Sequence, residues 1–441
     1  MPQQCASKTV TGMDQQDAHP PLVSFAERTN IGLRRLSNQD AYACVLAHQP
    51  DVWEHRGHLF LVADGMGAHA AGELASKIAA EDIPLAYQKV QPGISAPVAL
   101  KQAIEDANET IHRKGSRNFD FQGMGTTCTA LALYPGGALL GHVGDSRAYR
   151  LRGNKLEQLT RDHSLVWELK EHGQIDVGPG IPRNIITRSL GPNPDVEVDI
   201  EGPFEVLPGD RFLLCSDGLS GQLSDHWIAV ILRLFSLEEA AQLFVHLANL
   251  HGGGPDNITV VAIEVPFALG GAGAVQESDL GEEKPAQGWL VPLAGLLLGA
   301  GCGGLVAWGK PLPLPEGLVA TVGGAVIGLA LGLAAKGWFF SAKDKPRRKR
   351  RKPLLHGHGP YTEASAQADE DLVEQLHKIL KDLCHAAAED RWEVCWKEVE
   401  QLQEQALQAV SHKNWNDAVV FLGKAVLRVM SKARKTQAGV D

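Results

Sequence analysis

Four short acidic motifs punctuate the chain between Asn38 and Asn257, and three of them place an aspartate where an apolar run meets a turn. They are Asn38-Gln39-Asp40, the DGMGAH run from Asp64 to His69, Ser216-Asp217-Gly218 and Gly254-Pro255-Asp256-Asn257. Asp64 follows the apolar run 59–63, Asp217 follows 212–215, and Asp256 precedes 258–265. Short apolar runs bounded by Gly or Pro read as buried strands. One such Asp-Gly pair is an ordinary turn; the set together requires a fold that can bring several strand ends to one edge.

Bare carboxylates brought together repel one another and are driven towards protonation, so a converging set needs a cation to stay ionised. The donors are oxygen alone, which suits Mg²⁺ or Mn²⁺, whereas a zinc site favours closely spaced His and Cys. Gly65 and Gly218 allow close backbone approach, and a glycine carbonyl can itself be a ligand.

Eight motifs in order extend the pattern: IGLRRLSNQDAY (31–42), LVADGMGAHAAGELAS (61–76), GMGTTCTALAL (123–133), HVGDSRAYRL (142–151), LTRDHS (159–164), ITRSLG (186–191), LLCSDGLSGQLSD (213–225) and GGPDNITVVAIEV (253–265). On these motifs, residues 25–266 resemble the metal-dependent protein serine/threonine phosphatases of the protein phosphatase 2C type, in a bacterial-like form. The resemblance implies an α+β fold, a four-layer α-β-β-α sandwich of two antiparallel sheets with the metals at one end. The residue pattern agrees with it. Strand-like runs at 131–133, 139–143, 148–151 and 211–215 are separated by turn signals, and helical periodicity runs over 72–88, 96–113 and 237–250. Paired strands and blocks of helix argue against a βαβ repeat.

Carried over residue by residue, the resemblance implies that Asp64 bridges two metals, Gly65 offers its carbonyl, and Asp217 and Asp256 complete the first metal's shell. Asp145 is expected to share a third ion with Asp217. Arg35 is expected to hold the substrate phosphate through its forked guanidinium, with Arg34 its rival, and Asp40 to position the water that attacks a phosphomonoester in line. Two positions depart from the family pattern. Gln39 stands where many members carry Glu, and Met66 where animal members carry the His proposed as general acid. His69, where bacterial-like members carry theirs, is the candidate to protonate the leaving group; a surface turn is its alternative. Segment 164–188 corresponds to the family's flap.

Composition bounds the rest. A length of 441 residues allows about two to three domains. A net charge of −10 argues against nucleic acid as a partner. The 7 cysteines have no metal-type spacing and point to a reducing compartment. Residues 1–24 read as a flexible polar tail without a signal-peptide core. No Walker loop, zincin helix or nucleophile elbow occurs.

After residue 266 the composition changes. Residues 267–288 form a Gly-, Ala- and acid-rich linker, followed by apolar stretches at 289–308 and 318–340, each about twenty residues and so long enough to span a bilayer as helix. Gly295, Gly299 and Gly303 share one helical face, as do Gly324, Gly328 and Gly332, a stripe that permits close helix contact. The basic run KPRRKRRK follows the second stretch, so a transmembrane hairpin in the inner membrane is expected, with both chain ends cytoplasmic. Residues 341–364 read as a basic juxtamembrane linker. Residues 365–434 read as a helical region, in which WNDAVVFLGKAV resembles half of a tetratricopeptide unit and a protein partner is one expected role.

The reading is a membrane-anchored, Mn²⁺- or Mg²⁺-dependent phosphatase acting on phosphorylated proteins made by Ser/Thr kinases. Its rival is a phosphatase-fold scaffold without turnover; retention of Asp64, Asp217 and Asp256 argues against that.

Overall fold

The computed structural model describes residues 20–67, 70–171, 185–269 and 359–437. Its strands are β1 (Ser24–Asn30), β2 (Asp40–Val45), β3 (His58–Met66), β4 (Gly125–Thr126), β5 (Cys128–Tyr134), β6 (Gly137–Val143), β7 (Arg147–Arg152), β8 (Lys155–Gln158), β9 (Asp199–Phe204), β10 (Asp210–Cys215), β11 (Ile258–Val265) and β12 (Thr362–Ser365). The helices are α1 (Pro50–His55), α2 (Ala71–Tyr87), α3 (Ala96–Arg117), α4 (Leu165–Glu171), α5 (Asp217–Ser220), α6 (Asp225–Leu234), α7 (Leu237–Gly252), α8 (Glu370–Glu389), α9 (Trp396–Ser411) and α10 (Trp415–Gln437).

Two antiparallel sheets form. One runs β1-β11-β10-β7-β8-β12 and the other β2-β3-β5-β6-β9, with β4 paired to the end of β3. Alternation along the strands explains why both faces of each sheet are covered. On β3, Phe60 and Val62 enter the core between the sheets, while Leu59, Leu61 and Ala63 pack under α2 and α3 with Ile83, Leu100 and Ile104. On β10, Phe212 and Leu214 enter the same central core, while Leu213 and Cys215 face α6 and α7. Strands buried on both faces need continuous apolar sequence, and those runs are the ones visible without a structure.

Helix α7 shows how local sequence delivers a site residue. Ser236 and Glu239 close a capping box at its start, and Gly253 at φ 70° ends it in the left-handed region. Gly254 continues at φ 53°, and the chain turns at once into Pro255-Asp256.

The carboxy-terminal helices do not stand apart as a bundle. Leu376, Leu380, Val419, Leu422 and Val426 belong to the same apolar core as Trp227, Ile231 and Phe244 of α6 and α7. Strand β12 pairs antiparallel with β8, so residues 362–364, expected at the end of a linker, instead extend a sheet. The apolar stretches 289–308 and 318–340, and the basic run after them, lie outside the described residues. Among the described residues no helix is long and apolar enough to cross a membrane.

Candidate active site

Sheet register places the first two acidic motifs side by side, since Asp40 at the start of β2 is the direct partner of Asp64 on β3. Asp217 opens α5 immediately after β10, Asp256 precedes β11, and β10 and β11 are neighbours in the other sheet. Asp145 sits in the turn between β6 and β7. Strand ends from both sheets therefore meet at one end of the sandwich.

The backbone around Asp64 is pinned from several sides. Its N–H donates to Thr127 Oγ1 at 2.9 Å, while its carbonyl accepts from the Thr127 N–H at 2.8 Å and the Thr126 hydroxyl at 2.9 Å. Thr127 Oγ1 also lies 2.8 Å from the buried Ser146 hydroxyl, beside Asp145. Gly65 N–H donates to the Gln39 carbonyl, and a Cβ on Gly65 would come within 2.1 Å of the Gly72 carbonyl oxygen, so only glycine fits there. Asn257 ties the Arg35 loop to β11: its side chain donates to the carbonyls of Ile31 and Ser37 and accepts from the Gln39 N–H at 2.8 Å.

Burial makes the cluster electrostatically costly. It pushes the Asp40 carboxyl up to about 7, opposed by the Ser216 hydroxyl that donates to Oδ2 at 2.7 Å. Burial, with the charge of Asp217 next in importance, pushes Asp145 up to about 8. Asp64 and Asp217 are both raised by burial and then by neighbouring aspartates. Oδ1 of Asp40, Asp145 and Asp217 is buried without a hydrogen-bond partner. Such oxygens are costly unless something positive or acidic meets them.

This donor set fits hard divalent cations: oxygen only, acidic and unsatisfied. Among the described residues no three His, Cys, Asp or Glu side chains are drawn together closely enough to form a coordination shell on their own. For hard cations backbone carbonyl and water complete the shell.

Arg35 lies at the mouth of the cluster, with Nη2 donating to Asp256 Oδ2 at 2.6 Å. Arg34 has an Nη2 that a Cβ on Gly253 would meet at 3.2 Å, on the α7 side of the loop. His69 and Ala68 lie outside the described residues, as do 172–184 of the expected flap.

The sequence alone assigns no structural role to Thr126, Thr127, Ser146, Ser216, Arg147 and Asp162, although all lie inside the quoted motifs. Arg147 makes a forked ion pair with Asp162, at 2.7 Å from Nη2. A readable signal existed for most of them: a polar residue set in an otherwise buried apolar run needs a partner.

The chain is similar in sequence and fold to known phosphatases. A protein-family model for protein phosphatase 2C matches residues 34–250. The Serine/threonine phosphatase stp of Listeria welshimeri is 37% identical over 247 residues, covering 54% of this chain and 94% of that protein. The Serine/threonine protein phosphatase PstP of Mycobacterium tuberculosis is 38% identical over 250 residues, 55% of this chain but 45% of that protein. The chain thus spans less than half the length of that longer relative. A solved S. agalactiae serine/threonine phosphatase is 35% identical with a TM-score of 0.50, covering 55% of this chain and 100% of that one. Because nearly all of the Listeria protein is matched by residues that here fold into a two-sheet sandwich with buried aspartates at one end, this chain belongs to the protein phosphatase 2C family.

Proposed function

We propose that the protein is a metal-dependent protein serine/threonine phosphatase that hydrolyses phosphomonoesters on phosphorylated proteins. The observation that carries this is the meeting of Asp40, Asp64, Asp145 and Asp217, with three buried oxygens lacking partners, behind the Arg35 guanidinium.

Asp64, the Gly65 carbonyl, Asp217 and Asp256 would hold two divalent cations, Mn²⁺ or Mg²⁺, and Asp145 with Asp217 a third. When bound, these ions supply Lewis acidity towards water and phosphate oxygens. The chain's own groups do the rest. Arg35 binds two phosphate oxygens through its fork, which orients the ester for in-line attack. Asp40 Oδ1 accepts from the attacking water and aligns it, its other oxygen being fixed by Ser216. His69 donates the proton that the departing serine or threonine oxygen needs.

The apolar stretches 289–308 and 318–340 with the basic run after them support anchoring as a hairpin in the inner membrane, both ends cytoplasmic. Reporter fusions at both ends test this, and an outward-facing carboxy terminus would overturn it.

The deciding assay is hydrolysis of a phosphothreonine peptide by the full chain. Turnover should require Mn²⁺ or Mg²⁺, cease in EDTA and fall sharply in Asp217→Asn. A folded chain that releases no phosphate under any of these metal conditions would leave the scaffold reading in its place.

A further inference from the structure

Strand β12 and the residue before it reach the scaffold directly behind the candidate active site. Main-chain pairing to β8 needs no particular side chain: Thr362 lies opposite Gln158, Ser365 opposite Lys155, and Tyr361 N–H donates to the Gln158 carbonyl at 2.9 Å. Two side chains nevertheless make specific contacts. The Thr362 hydroxyl lies 3.0 Å from Asp225 Oδ2 and 3.3 Å from Gln158 Oε1, its single proton shared between them. Tyr361 donates to Glu201 and packs edge-on against Trp167 of α4, ring centroids 6.1 Å apart.

Both groups that Thr362 meets hold the Arg147–Asp162 pair. The amide of Gln158, itself 1% exposed, donates to Asp162 Oδ1 at 2.8 Å. Asp225 Oδ1 accepts from the Tyr149 hydroxyl, which in turn accepts from Arg147 Nη1 at 3.0 Å. Arg147 follows Asp145 and Ser146, and the Ser146 hydroxyl meets Thr127, which pins the Asp64 backbone. A set of buried and part-buried hydrogen bonds therefore joins β12 to Arg147, and the backbone from Arg147 through Ser146 carries it on to Asp145 and, through Thr127, to Asp64. The family match ends at residue 250, so Tyr361 and Thr362 lie outside it while the groups they meet lie within it.

We propose that Thr362 and Tyr361 are positioning residues of the phosphatase site: Thr362 braces the Arg147–Asp162 pair that carries the Asp145 turn, and Tyr361 holds α4 at the start of the flap. The proposal rests on the phosphatase reading for its kinetics but not for its structural readout. Hydrogen-bond networks sheltered from solvent transmit a lost partner because each member is already committed. Removing the Thr362 hydroxyl leaves Asp225 Oδ2 and Gln158 Oε1 without that donor, and both can then rotate away from the network.

The test compares the full chain with Thr362→Val, Thr362→Ser and Tyr361→Ala, measuring phosphothreonine-peptide kinetics, small aryl phosphate kinetics, melting temperature and amide hydrogen exchange. Thr362→Val should lower kcat by about 3- to 10-fold, the scale of one intramolecular hydrogen bond, with KM little changed. Thr362→Ser should restore kcat to within about twofold, since the hydroxyl rather than the methyl is needed. Exchange should quicken at residues 144–147 in Thr362→Val and at α4 in Tyr361→Ala, the latter losing more activity on peptide than on aryl phosphate. Thr362→Val with unchanged kcat and unchanged exchange at 144–147, or Thr362→Ser no better than Val, overturns the proposal. If even the unmodified chain lacks turnover, exchange alone decides: unaltered rates in both variants sink it, and faster rates at the named sites uphold it.

Discussion

Arg35 Nη2 rests 2.6 Å from Asp256 Oδ2, so the side chain assigned to the substrate phosphate leans on a carboxylate assigned to a cation. Both partners are partly exposed, and such ion pairs contribute little to stability, about 0–1 kcal/mol. Arg35 can leave Asp256 at small cost when a cation and a phosphate arrive. Arg35→Ala should therefore have two opposite effects: kcat/KM on phosphopeptide falls about 10- to 100-fold, while Mn²⁺ binds as tightly or slightly more tightly. Weaker Mn²⁺ binding, measured by titration without substrate, would contradict this arrangement.

Asp217→Asn removes a carboxyl that is buried beside Asp64. Loss of a ligand should cut kcat by about a hundredfold or more. In EDTA the same change relieves like-charge repulsion, so the variant should melt no lower than the unmodified chain. Calorimetry with and without Mn²⁺ would separate the two effects.

Stability of the metal-free protein should depend on pH with a definite sign. Asp40 is raised to about 7 and Asp145 to about 8 from an ordinary value of 3.8, so the folded chain binds more protons than the unfolded one between these limits. Their contribution is then fully present below pH 3.8 and is lost as pH rises through about 7 to 8. In EDTA the melting temperature should fall between about pH 5 and 8 more steeply than with Mn²⁺ present. Parallel curves would argue that cations do not bind these carboxylates.

Gly218→Ala tests the tight approach of α5 to β11. The added Cβ would lie 1.8 Å from the Asn257 carbonyl oxygen, so the turn carrying Asp217 must shift. Activity should fall by more than tenfold, with about 1–3 kcal/mol of stability lost. A variant of unchanged activity would mean that the placement of Asp217 tolerates movement.

Much of the sandwich was legible because its strands are buried on both faces and so stand out as apolar runs. The expected runs 139–143 and 211–215 fall in β6 and β10, and the helical periodicities over 72–88 and 237–250 fall in α2 and α7. Strands β1, β2, β4, β8, β9 and β12 carry no such run, since short, edge or partly exposed strands hold polar and charged residues such as those of Lys155–Gln158. Helix α6 also passed unremarked, because DHWIAVILRL is nearly apolar along its length and periodicity cannot separate it from a strand.

Local sequence by itself determined which aspartates stand at strand ends, where Gly253 stops a helix, and that the donors available are oxygens suited to a hard cation. Those outcomes depend on burial pattern and backbone preference, which neighbouring residues dictate. Only the tertiary structure decided that Arg35 pairs with Asp256, that Thr127 and Ser146 link Asp64 to Asp145, and that Thr362 rejoins the sheet beside Gln158. These contacts join residues far apart in the chain, and the choice of partner follows from sheet register and packing, which no local stretch of sequence encodes.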